Sequence, residues 1–364
     1  MYLSKLSVLN YKNIVNLDLQ FIPRINCFTG MNGAGKSNLL DAIYSLSMTK
    51  SYFSHLEWRS VNYNAPKASL EGQYIRPDGG SETISLQIDR EGGKLMRRNS
   101  KPYKRFGEHI GLIPIVMISP YDSVLVNGSG EERRRFLNSI LSQLDVEYLR
   151  NMQNYNRLLA QRNRLLKSDL NNSELLDILS QQMTSCATPI FQKRGHFITH
   201  LTPVVQQYYE KVSGGKEKIS IEYQSDLYSG DLYTLHKKST AQDRAVRHTT
   251  TGIHRDELLF SMNGVQIKFG GSQGQQKSFL LSLKFAQFEI MRELFGKSPI
   301  LLLDDLFDKL DLKRVEALLE IVSSQLFSQV FITDSNKVRV SELLKLNGHD
   351  AALFKIENGA AILE

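Results

Sequence analysis

The 364-residue chain is 41% hydrophobic and 23% charged, an ordinary globular composition with enough apolar material for two lobes. No apolar run approaches the ~20 residues of a membrane span, no signal-peptide layout opens the chain, and Cys27 and Cys186 fit no metal or redox spacing, so a cytoplasmic protein without a membrane partner is expected. The 45 Lys and Arg against 38 Asp and Glu leave a net charge of +7, compatible with nucleic-acid binding without demanding it.

Residues 2–9 and 14–21 alternate apolar and polar and read as a hairpin of strands joined at Tyr11-Lys12-Asn13. The apolar run Ile25 to Thr29 then leads into Gly30-Met31-Asn32-Gly33-Ala34-Gly35-Lys36-Ser37, followed by a helical spacing from Asn38. Strand, glycine-rich turn and helix form the context of a phosphate-binding loop, whose N–H groups share the anion with the positive end of the helix. Lys36 is expected at the β- and γ-phosphates and the Ser37 hydroxyl on Mg²⁺. The chain therefore reads as a binder of a nucleoside triphosphate, through residues 30 to 37.

Strands over 68–76, 83–89 and 94–98 suggest an antiparallel sheet added to this α/β core, with a basic cluster at Arg97, Arg98, Lys101, Lys104 and Arg105. That cluster is read equally as a solvated hairpin tip or as a phosphate contact. After a short strand, Ile113 to Ile118, the spacing turns helical from Glu131 to about Val212, with Pro189 marking an expected break or kink. Arg150, Arg157 and Arg164 fall seven apart and share one helix face, with Arg162 nearby. By itself this stripe is as consistent with a solvated face as with a nucleic-acid contact.

A strand at 219–223 returns the chain to sheet. The polar loop Gly252-Ile253-His254-Arg255-Asp256 follows, and then Gly271-Ser272-Gln273-Gly274-Gln275-Gln276-Lys277 opens a long helix expected over Ser278 to Leu294. Ile300 to Leu303 ends in Asp304-Asp305, an apolar strand delivering two acids. Asp304 is expected to hold Mg²⁺ beside Ser37, and Asp305 to orient or deprotonate the attacking water. Ser272 makes a second anion site at a helix start, and one nucleotide does not readily use both in one subunit. Three other readings are weaker. A transporter ATPase subunit usually carries a histidine near Thr333-Asp334, a small-molecule kinase has no use for the Ser272 segment, and a structural module has none for Asp305.

Five segments resemble the RecF family of ABC-type, SMC-like ATPases: residues 30–37, Arg133 to Leu137, Asn156 to Asn163, Gly252 to Asp256, and Ser272 to Lys277 with Asp304-Asp305. The family usually has Pro at Ile253, Asp at Glu257 and Arg at Lys277. The resemblance implies an ABC-ATPase head of mixed sheet plus antiparallel subdomain, over 1–122 and 217–364, with a helical insert over 123–216. It implies ATP and Mg²⁺, an ATP-driven homodimer on DNA, and slow DNA-stimulated hydrolysis. In that reading Gly30, Met31, Asn32, Gly33, Ala34, Gly35, Lys36, Ser37 and Gln275 bind nucleotide. Lys36, Asp305 and Ser272 are catalytic, with Ser272 closing on the partner's nucleotide and Asp308 to Asp311 resembling the D-loop. Arg150, Arg157, Arg162 and Arg164 are expected on DNA. The implied partners are RecR directly and RecO indirectly, in recombinase loading at single-strand gaps.

Overall fold

The structure is a computed structural model that describes residues 1–168, 172–215, 217–306, 312–336, 351–357 and 359–363. The chain divides into two compact units, Met1–Asp122 with Gln287–Glu364, and Ser123–Ala286. The fold class is α/β, with mixed sheets and a long helical lobe.

The first unit begins with β1 (Tyr2–Tyr11) and β2 (Ile14–Gln20), whose buried positions alternate as the sequence pattern requires. β3 (Ile25–Thr29) is buried at every position and leads through the glycine loop into α1 (Lys36–Met48). β4 (Lys67–Ile75), β5 (Ser81–Asp89), β6 (Lys94–Arg98) and β7 (Lys101–Pro102) extend the hairpin into an antiparallel sheet of order β2-β1-β4-β5-β6-β7. β8 (Ile115–Ile118) begins the crossing to the second unit.

The second unit is built on α2 (Val124–Asn127), α3 (Gly130–Leu144), α4 (Val146–Lys167) and the 41-residue α5 (Ser173–Ser213). Pro189 and Pro203 both lie inside α5, so of the break or kink expected at Pro189 the break does not occur. Each proline removes one backbone donor, but a buried stripe from Leu176 to Val212 keeps the helix in the core. Beyond it, β9 (Ile219–Gln224), α6 (Leu232–Val246), β10 (Glu257–Met262), β11 (Val265–Gln266) and α7 (Ile267–Gly270) complete the unit. β9 pairs antiparallel with β10 from Glu257↔Gln224 to Met262↔Ile219 and joins neither of the other sheets. For that reason the second unit runs on to Ala286 rather than ending near residue 216, where the sequence placed the end of the insert.

Helix α8 (Gln273–Phe295) starts five residues before the expected Ser278 and carries the chain back to the first unit. There β12 (Ile300–Asp304), α9 (Leu312–Ser323), β13 (Gln329–Asp334), β14 (Ala351–Glu357) and β15 (Ala360–Leu363) follow. The second six-stranded sheet has the order β15-β14-β3-β13-β12-β8, parallel throughout except for β15. The loops after β3, β8, β12 and β13 therefore leave the same edge, the carboxyl end where open α/β sheets bind ligands. Leu39, Leu40, Ile43 and Leu46 of α1 join a core with residues of both sheets, including Leu3, Leu70, Ile84, Met117 and Leu302. No helix among the described residues is long and apolar enough to cross a membrane.

The side chain of Gln329, fully buried, links the two sheets of this unit. Its Oε1 accepts from Leu3 N at 2.8 Å, and its Nε2 donates to Leu3 O at 2.8 Å and Ile22 O at 3.1 Å. Gln329→Leu conserves bulk but leaves these backbone groups without that partner, so a stability loss on the order of 2–4 kcal/mol is expected. Urea unfolding followed by far-UV circular dichroism measures it, and a midpoint equal to the parent's removes Gln329 from this role.

Candidate nucleotide site

The phosphate loop takes its shape from glycines in the left-handed region: Gly30 at φ 148°, Gly33 at φ 84° and Gly35 at φ 112°. A Cβ on Gly30 would also stand 2.3 Å from the carbonyl oxygen of Ile356 on β14, so no larger residue fits there without displacing that strand. Lys36 is buried and its Nζ donates to the carbonyls of Gly30 at 2.8 Å and Met31 at 3.1 Å, across the mouth of the turn. Two neighbours brace the outside. Asn13, between β1 and β2, donates from Nδ2 to Gly33 O at 3.0 Å and accepts from Asn38 Nδ2 at 2.7 Å, while Gly359 N donates to Ala34 O at 3.2 Å. In the sequence Asn13 is legible only as a turn residue, and its polar side chain in the turn of the first hairpin is the available signal.

The carboxyl end of β12 faces the start of α1. Ser37 Oγ donates to Asp304 Oδ1 at 2.7 Å, Thr333 Oγ1 donates to the same oxygen at 2.8 Å, and Ser119 Oγ reaches Oδ2 at 3.4 Å. Burial raises the Asp304 carboxyl above its ordinary range and the charge of Asp305 adds to this, while the hydrogen bonds from Ser37 and Thr333 oppose it. A cation placed between Ser37 and Asp304 would relieve that cost, and an all-oxygen donor pair suits a hard divalent ion such as Mg²⁺. Thr333 and Ser119, outside the sequence-predicted set, hold Asp304 from the two flanking strands.

Asp305 takes a left-handed backbone conformation, φ 45°, with its N–H donated to Thr333 Oγ1 at 3.0 Å and Thr333 O at 3.2 Å. Its buried Oδ1 has no hydrogen-bond partner among the described residues. A strained residue with an unmatched acceptor, one step past the cation-facing acid, fits the positioning of a water or hydroxyl donor. The structure thus brings together Gly30 to Ser37, Asp304 and Asp305 within the first unit. Asp308 to Asp311 lie outside the described residues.

In the second unit, Ser272 is exposed and forms a reciprocal cap on α8. Its Oγ accepts from Gln275 N at 3.2 Å, while Gln275 Oε1 accepts from Ser272 N at 2.9 Å. Gln275 Nε2 donates to Glu217 Oε1 at 2.9 Å. This capping box explains the early start of the helix.

Arg150, Arg157 and Arg164 project from the exposed side of α4. Arg162 does not share their face: it is 1% exposed and donates to Asp243 Oδ2 at 2.7 Å and Thr249 Oγ1 at 2.8 Å. The expectation that it contacts DNA is corrected by this burial, because its position falls on the apolar stripe of Tyr155, Leu158 and Leu166. The loop Gly252 to Asp256 is a packing feature of the same unit. Buried Arg194 donates to Ile253 O at 2.8 Å, Asn138 Oδ1 at 2.9 Å and the Asp256 carboxylate. His254, with burial lowering its pKa to about 4, accepts at Nδ1 from the Tyr155 hydroxyl at 2.8 Å and donates from Nε2 to Thr249 O at 3.1 Å.

Known proteins resemble this chain along nearly its whole length. Residues 2–351 match the family described as RecF/RecN/SMC N terminal domain. A protein of Parabacteroides distasonis named DNA replication and repair protein RecF is 42% identical over 99% of this chain and 98% of its own length. One of the same name from Porphyromonas gingivalis is 41% identical over 99% of both. A solved structure described as the recombination mediator protein RecF-ATP in the RecFOR pathway superposes with a TM-score of 0.90 at 28% identity, over all of this chain and 97% of that one. A Smc head domain of Pyrococcus furiosus, at 15% identity and TM-score 0.58, shares the fold.

The buried Arg162 pair has a measurable consequence. Burial alone would raise the Asp243 carboxyl, but hydrogen bonds from Thr250 and Arg162 and the Arg162 charge bring it below its ordinary value. It therefore stabilises the fold above about pH 4 and loses that contribution as pH falls through the lowered value. Arg162→Met, which strands Asp243, is expected to cost about 3–5 kcal/mol at neutral pH and to flatten the acid limb of the stability profile. Arg164→Met should stay within about 0.5 kcal/mol of the parent. Urea unfolding between pH 3 and 8 checks both, and equal stability of the two variants overturns the assignment.

Proposed function

We propose, because this chain belongs to the RecF family of DNA replication and repair proteins, that it is an ATP-dependent DNA-binding protein whose ATPase resets an ATP-bound homodimer. The observation that carries the reading is the Ser37–Asp304 hydrogen bond of 2.7 Å beneath the glycine loop, which joins the anion-binding and cation-binding halves of one site. Mg²⁺, when bound with ATP, supplies neutralisation of phosphate charge. Lys36 turns from its two loop carbonyls to the phosphate oxygens, and the loop N–H groups hold the remaining charge. Ser37 and Asp304 are the protein oxygens for the cation. Asp305 accepts from and orients the attacking water.

The Ser272 segment belongs, in this reading, to a site completed by a second copy. Its hydroxyl accepts from its own helix and keeps its proton free to donate outward to a phosphate oxygen. Arg150, Arg157 and Arg164 present three charges on one exposed face and suit phosphates of any sequence. Placement in gap repair with RecR and RecO, in the cytoplasm, is part of this proposal, and the RecFOR pathway named for the related structure supports it. The stimulation of hydrolysis by DNA belongs to the same proposal.

Two experiments test it. Lys36→Met disables the loop and Ser272→Arg obstructs the capping of a partner's nucleotide, so each alone should lack ATPase. Their mixture should recover DNA-stimulated turnover, up to half of the parent's sites. ATPase from Ser272→Arg alone, with no dimer in sedimentation, overturns the shared site. For DNA, replacing Arg157 and Arg164 together by Glu should weaken all duplexes alike and lower the slope of log K against log salt by about 2, with ATP binding unchanged. Parental duplex affinity in that variant places the DNA face elsewhere.

A further inference from the structure

Residues 54–64, between α1 and β4, carry two features that the proposed nucleotide and duplex sites do not use. Trp58, the only tryptophan in the chain, is 49% exposed, and Tyr63 is 86% exposed. Each ring has an arginine beside it: the guanidinium of Arg59 lies 5.4 Å from the Trp58 ring centre, and that of Arg90 lies 5.4 Å from the Tyr63 ring centre. In both contacts the cation is an arginine.

The segment is held by backbone. Lys12 N donates to Ser60 O at 2.9 Å, Asn62 N donates to Asn10 O at 2.8 Å, and Asn62 Nδ2 donates to Lys12 O at 2.6 Å. Arg90 fastens its far end, with Nη2 donating to Asn62 O at 2.5 Å and Nε to Ala65 O at 3.2 Å. The rings are thus exposed on a fixed backbone, so little ordering entropy opposes a ligand that stacks on them.

Charge selects the ligand. Glu57 is the only acid within 54–64, and it is in an ion pair with Lys94. Arg59 and Arg90 have no carboxylate partner among the described residues, although Asp89 and Glu91 flank Arg90 in the chain. Exposed rings with cationic guanidiniums beside them match the requirements of unpaired bases on a phosphate chain. Bases stack on the rings, and phosphates take the positive charge. A duplex hides its base faces and gains only the charge.

We infer that Trp58 and Tyr63, with Arg59 and Arg90, form a binding platform for single-stranded nucleic acid. The inference rests on the nucleic-acid reading above only for the class of ligand; it requires neither ATP nor a second copy. The Tyr11-Lys12-Asn13 turn that anchors the platform also supplies Asn13 to the phosphate loop.

The sole tryptophan reports on its own site. The full-length chain without nucleotide is titrated with a 15-residue oligothymidylate and with a hairpin duplex of equal phosphate count. Trp58 emission is read in parallel with the anisotropy of labelled DNA. Quenching by the single strand, with little change for the duplex, is expected. Trp58→Phe should keep single-strand affinity, while Trp58→Ala with Tyr63→Ala should lose at least about tenfold and leave duplex affinity within twofold.

Single-strand binding that leaves Trp58 emission unchanged overturns the platform. So does parental affinity in the double variant, an equal loss for duplex, or quenching by an acidic peptide but not by the oligothymidylate. If the double variant fails to fold, the emission titration of the parent decides. Duplex binding without single-strand binding, or no binding of either DNA in the absence of nucleotide, defeats this inference and leaves the proposed function standing, whereas no binding of either DNA with ATP and Mg²⁺ added defeats both.

Discussion

The first unit depends on one carboxylate. Asp304, at the end of β12, accepts from Ser37 on α1 and Thr333 on β13, and meets Ser119 after β8. It therefore couples the helix that follows β3 to the ends of three neighbouring parallel strands. Burial penalises its charge, and the hydroxyls offset that penalty without removing it. A buried acid kept in this state is costly to the fold and useful to a cation. Both strands flanking β12 supply a hydroxyl to it, so the site is specified by the sheet as well as by the glycine loop.

The second unit solves a comparable problem with cations. Arg162 and Arg194 are both 1% exposed, each tied to a buried aspartate, Asp243 and Asp256 respectively. Arg194 also takes a carbonyl from the Gly252 to Asp256 loop, so that loop is positioned by charge and hydrogen bonding rather than by apolar contact alone. Such networks fix one arrangement strongly, since loss of either partner leaves the other buried and unmatched.

Those features that were legible in the sequence are local ones. The glycine loop, the apolar run ending in Asp304-Asp305 and the strands of the antiparallel sheet carry their signals within a few residues. Arg162 was legible too, had the spacing been followed strictly: it lies two residues before Arg164, about 200° around the helix, and in step with Tyr155, Leu158 and Leu166. What could not be read are features set by distant pairing. β14 and β15 are short segments whose place comes from β3, and the partnership of β9 with β10 decides where the second unit ends. The capping box was written in the sequence as Ser272 and Gln275, three apart, and was masked by a reading that gave Ser272 to the phosphate.

The strand order of the parallel sheet has a consequence for the order of synthesis. β3 precedes the glycine loop directly, yet its two sheet neighbours, β13 and β14, emerge from the ribosome about 300 residues later. The second unit, by contrast, is continuous from Ser123 to Ala286 and has its own sheet and helices. A growing chain can therefore fold its middle while its phosphate loop still lacks the strands that hold it. Nucleotide competence is then a property of the finished chain alone, and a nascent or truncated chain exposes β3 as an unpaired apolar edge for all of that interval.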